Sequence, residues 1–92
     1  RSSAASDVYK RQILFSFHNI SEAMAALAKI EHLSGARLIP LPTEIGTGCG
    51  YCLRVDSKAF DQSLEILDED DYYKIYTLAH KGKKREIKEY VL

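Results

Sequence analysis

The chain has two cysteines, and both fall in one short glycine-rich stretch, Gly46-Thr47-Gly48-Cys49-Gly50-Tyr51-Cys52. A cysteine attacks as its thiolate, so its surroundings decide whether it reacts. Glycine-built turns leave backbone N–H groups free to face an anion. Gly48 and Gly50, on either side of Cys49, are therefore the residues expected to line the sulfur and whatever it holds.

Three chemistries use paired thiols at this spacing. A thioredoxin-type disulfide opens a helix whose N-terminus lowers the attacking thiol's pKa, whereas here Leu53-Arg54-Val55 follows in strand pattern. A zinc or iron–sulfur site generally takes four ligands, and the chain offers two Cys with scattered His18, His32 and His80, so such a site would have to be shared across a dimer. The third is a carrier of sulfur or selenium, in which an exposed thiolate accepts a chalcogen atom and passes it to another protein. That role needs access and a loop rather than a deep pocket. Cys49 is the candidate nucleophile, Cys52 the candidate resolving thiol, and Arg54 a cation able to favour a thiolate nearby.

Each of these residues also has a plainer role. A free cysteine is commonly a small buried hydrophobe, more so for Cys52 than for Cys49. Gly46 and Gly48 serve a tight turn equally well, and Arg54 is as well suited to pairing with a surface carboxylate such as Glu44. The acidic run Asp68-Glu69-Asp70-Asp71 reads first as a solvated linker and second as a docking patch for a basic partner.

At 92 residues and 46% hydrophobic, the chain suits one domain with a small two-layer core. No apolar run approaches the roughly 20 residues of a membrane-spanning helix, so no membrane association is expected. Two cysteines this close cannot staple a secreted mini-domain, which favours the cytoplasm. Residues 1–12 resemble a translated adapter or vector scar and are expected to be disordered. They carry three basic side chains against one acidic, so the remainder of a chain balanced at 13 and 13 is slightly acidic. That weighs against a general nucleic-acid face, which needs basic charge.

The elements that must position the cysteines follow from periodicity. Ile13, Phe15 and Phe17 alternate against Leu14, Ser16 and His18 as a half-buried strand. Asn19 or Ser21 caps a helix whose Ala23, Ala26, Leu27, Ile30 and Leu33 recur at helical steps up to Ser34-Gly35. Ala36 to Leu41 is a second strand ended by prolines. Tyr51 to Val55 is a third, with Tyr51, Leu53 and Val55 on one face and Cys52 and Arg54 on the other. Asp56 or Ser57 caps a second helix carrying Ala59, Phe60, Ser63, Leu64 and Leu67 inward, and Tyr72 to Leu78 is a fourth strand.

This order predicts an α+β, ferredoxin-like βαββαβ two-layer sandwich over residues 13–79, with both helices on one sheet face and the other left open. Residues 80–92 form an extension, either a hairpin turning through Lys81-Gly82-Lys83-Lys84 or a helix.

The segments Leu14-Phe15-Ser16-Phe17, Ala36-Arg37-Leu38-Ile39-Pro40-Leu41-Pro42-Thr43-Glu44-Ile45 and Gly48-Cys49-Gly50-Tyr51-Cys52-Leu53-Arg54 resemble the Se/S carrier protein-like family. Cys49-Gly50 matches that family's Cys-Gly pair and Leu53-Arg54 its Leu-Arg, while Cys52 stands where members often carry Ala. The resemblance implies handling of sulfur or selenium by a carrier without a cofactor rather than by a classical enzyme. A cysteine desulfurase or a selenium-metabolism protein would be its partner, and a homodimer is left open. The rival reading is a non-catalytic regulatory or interaction module of the same fold.

Overall fold

A computed structural model describes residues 12–46, 49–81 and 84–90. The assignment of residues 1–12 as a scar thus lies outside the described residues except at Gln12, which opens the first strand, and Gly48 lies outside them too. The fold is α+β: a five-stranded antiparallel sheet with two helices. The strands are β1 (Gln12–Ser16), β2 (Arg37–Pro40), β3 (Tyr51–Asp56), β4 (Ile75–Lys81) and β5 (Lys84–Tyr90), and the helices α1 (Ile20–Ile30) and α2 (Phe60–Ile66). Across the sheet the order is β2-β3-β1-β4-β5.

Alternation along β1 divides the core in two. Ile13, Phe15 and Phe17 join Ala23, Ala26 and Ile30 of α1, Leu53 and Val55 of β3, and Leu67 and Ile75 in a cluster beneath the helices. Phe15 is fully buried, with Tyr72 and Phe60 ring centroids 5.2 and 6.4 Å away. Burying one such side chain contributes about 1.5–3 kcal/mol. Small Ala23 and Ala26 bring α1 close to the sheet. Asn19 caps that helix by accepting from the Glu22 backbone N–H at 2.9 Å, an arrangement worth about 1 kcal/mol. The α2 segment begins tighter than expected: Ser57–Ala59 form a 3-10 turn before the α-helix, and Ala59, Ser63 and Leu67 are its buried positions.

At the C-terminal side one of two alternatives holds and one strand boundary moves. The extension is the hairpin, not a helix: β4 and β5 pair from Ile75↔Tyr90 to Lys81↔Lys84, so the sheet gains a fifth strand. The fourth strand starts at Ile75 rather than Tyr72, because the Tyr73 N–H already donates to the Ser16 carbonyl at 2.7 Å and Tyr72 turns its ring onto Phe15.

The second sheet face is not open. Leu14, Cys52 and Leu78 form a separate buried cluster with Ile45, a residue of the loop after β2, and Ile39, Leu41, Tyr76 and Ile87 pack around it. The loop from Leu41 to Gly46 therefore lies over this face, with Ile45 and Pro42 buried beneath it. The physical reason is the number of apolar side chains on that face, which water would otherwise meet as a contiguous patch.

Candidate functional site

Both cysteines are free thiols at the start of β3, in different environments. Cys49 is half-buried at the end of the glycine-rich loop and leans on the helix-side cluster. Its Sγ donates to the Tyr51 carbonyl at 3.4 Å, a weak bond for an S–H group. Cys52, opposite Ser16 of β1 and Ile39 of β2, belongs to the cluster on the other face and is fully buried. The period-two pleat separates them, since residues of odd number near here turn to the helices and Cys52 turns away.

The chemistry of the two sulfurs diverges accordingly. Burial pushes the Cys52 thiol up to about 12, and the neighbouring Cys49 adds to the shift because a second negative charge there would be unfavourable. At neutral pH Cys52 is a protonated, inaccessible thiol. This departs from the expectation of a resolving thiol, which needs both access and ionisation. The residue fills the core under Ile45 instead.

Arg54 also departs from its expected place. Its Nη1 donates to the Gly35 carbonyl at 2.9 Å and its Nη2 meets Asp56 Oδ1 at 3.1 Å, toward the end of β3 away from Cys49. Ser34 Oγ donates to the other oxygen of Asp56 at 2.7 Å. The guanidinium thus ties the turn after α1 to β3. Gly35 has φ +74°, and a Cβ there would fall 2.5 Å from Asp56 Oδ1, so the turn accepts only glycine.

Gly50, expected to line the sulfur, forms a left-handed turn just before β3. Its φ of +95° lies where side chains are strained, and its carbonyl accepts from the Leu41 N–H at 2.9 Å. That bond joins the two ends of the loop next to Cys49. Glu44, at the loop's outer side, pairs with Arg85 of β5 and not with Arg54. Periodicity could not have found this pairing, because the partners lie 41 positions apart.

Among the described residues no group of His, Cys, Asp and Glu is placed to hold a metal ion. His18 packs against Tyr73 with ring centroids 4.2 Å apart and planes tilted by 40°. No described helix is long and apolar enough to cross a membrane. The acidic run forms a 3-10 turn, Glu69–Asp71, in which Asp71 accepts from the Asp68 N–H at 2.9 Å and meets Lys29 Nζ at 3.0 Å. These bonds hold the Asp71 carboxyl below its ordinary range.

No curated protein and no solved structure matches this chain. The model of the family described as "Putative Se/S carrier protein-like" matches residues 12–78, from the first residue of β1 into β4, with the whole cysteine loop inside the match and β5 beyond it. The chain belongs to that family.

Proposed function

We propose that this chain carries a sulfur or selenium atom on Cys49 and passes it to a partner protein. The observation that supports this reading is the contrast between its thiols: Cys49 sits half-exposed in a glycine loop with one weak bond, while Cys52 is sealed in the core. Family membership supplies the chemical class. The order β2-β3-β1-β4 supports a ferredoxin-like βαββαβ unit, with β5 added at its edge. Free cysteines suit a reducing compartment such as the cytoplasm.

The transfer step is an exchange. The Cys49 thiolate attacks the terminal sulfur of a donor persulfide, the donor's S–S bond breaks, and the donor cysteine leaves as a thiolate. Cys49 then bears the –S–SH group with no net oxidation. An acceptor thiolate removes the atom by the same exchange, and selenium follows the same course. A cysteine desulfurase or a selenium-metabolism protein is the donor this chemistry requires. Cys52 takes no part while the loop stays closed, and Arg54 acts through the fold.

Loading by a cysteine desulfurase supplied with radiolabelled cysteine tests the proposal. Label is expected on the wild type and on Cys52→Ala, and not on Cys49→Ser. An unlabelled wild type, or label retained by Cys49→Ser, overturns it.

A further inference from the structure

A cleft of about 340 Å³ lies between the acidic turn and the sheet, lined by Glu69, Tyr72, Tyr73, Lys74, Glu89 and Tyr90, with Ile75 at its floor. We propose that it receives an arginine side chain of the protein that exchanges sulfur with this chain, an inference that builds on the carrier role.

Shape and chemistry suit that occupant. The volume is at the small end for a ligand site and takes one long side chain. Three tyrosines line it, and aromatic rings attract cations and stack well on a planar guanidinium. Tyr72 packs against Phe15 and Tyr90 meets Phe60 edge-on at 5.3 Å, so two of the lining rings are held by neighbours. The chain's own Lys74 already shows how a cation sits here, its Nζ 5.4 Å from the Tyr73 ring centroid and 3.8 Å from Glu89 Oε1. Among the described residues no cation pairs with Glu69, whose charge bears on the Tyr72 hydroxyl. Exposed Asp68 and Asp70 flank it. The cleft therefore keeps a net negative charge after Lys74 is counted.

The register puts this cleft at the Cys49 end of the sheet. Ser16, opposite Cys52, closes β1; Phe15 pairs with Ile75 at the start of β4; and Ile75 pairs with Tyr90 at the end of β5. Three strand spacings separate β3 from β5, roughly 15 Å at about 4.8 Å each. One protein footprint covers both places, since a standard interface takes about 800 Å² per partner. A donor that reaches Cys49 with its persulfide would thus also cover the cleft, whose net negative charge favours a basic side chain there.

An arginine-rich peptide titrated into the full chain and followed by backbone amide NMR tests this directly, with a glutamate-rich peptide of equal length as control. Shifts are expected at Tyr72 to Ile75 and at Glu89 and Tyr90, with the arginine peptide only, and Glu69→Lys should weaken binding about tenfold or more. In desulfurase-driven loading, Glu69→Lys and Tyr73→Ala should raise KM for the protein donor and leave loading by inorganic polysulfide unchanged. No shift in the cleft, or equal affinity for Glu69→Lys, overturns the proposal. Failure of Cys49 to take sulfur with the peptide response intact would remove the carrier role and keep the arginine site.

Discussion

Arg85 grips Glu44 through two bonds of 2.9 Å, Nε to Oε2 and Nη2 to Oε1. This two-point pair connects β5 at one edge of the sheet to the loop that leaves β2 at the other, so the loop is fastened across the face that covers Cys52. Bidentate geometry gives the contact direction as well as attraction. Because β5 lies beyond the family-matched residues, the fastening combines a family segment with one outside it.

Removing that fastening should uncover the buried thiol. Arg85→Ala is expected to raise the rate of Cys52 alkylation several-fold in native buffer with little change in Tm, since exposed pairs contribute little to global stability. The bonds from Arg85 hold the Glu44 carboxyl below its ordinary value of 4.5. The pair's contribution is thus complete above that pH and is lost as pH falls through the lowered value. Cys52 alkylation with an acid-tolerant reagent should accordingly rise in the wild type as the pH falls through that lowered carboxyl range, and not in Glu44→Gln, which is already loosened.

The Cys52 thiol itself makes stability depend on alkaline pH. In the unfolded chain it ionises near its ordinary 9.0, while in the fold it holds its proton to about 12. Its contribution is complete below pH 9 and falls as pH rises from there, because the unfolded state alone loses the proton. Urea unfolding at a series of pH values should show this decline in the wild type and a smaller one in Cys52→Ala.

Two glycines of the same loop should answer differently to alanine. At Gly50 an added Cβ would meet nothing within 4 Å, yet φ is +95°, so Gly50→Ala should cost about 1–2 kcal/mol from backbone strain alone. Gly46 has open space and no such torsion. Gly46→Ala should be neutral or stabilising by a few tenths of a kcal/mol, up to about 1. Chemical denaturation of both variants checks the contrast.

Local pattern carried much of this structure. The alternation through Phe17, the Asn19 cap and the parity of Leu53 and Val55 against Cys52 are short-range properties, and the fold keeps them. The closing of the second face was not legible, because it rests on one apolar residue, Ile45, in a loop of prolines and glycines whose partners come from β1, β3 and β4. The fates of the arginines were hidden for the same reason. Pattern offered Glu44 to Arg54; in the fold Asp56, two positions along the same strand, takes Arg54, and only the strand order lets Arg85 reach Glu44. Of the site, the glycine loop was readable; the separation of its sulfurs by the sheet needed three dimensions.

If this chain carries sulfur as proposed, Cys49 alone bears the transferred atom. Tandem mass spectrometry of native wild-type protein, digested after loading by a cysteine desulfurase and trapped by alkylation, tests it most directly. An additional sulfur is expected on Cys49, with Cys52 recovered as an unmodified thiol. An additional sulfur on Cys52, or none on either residue, would contradict it.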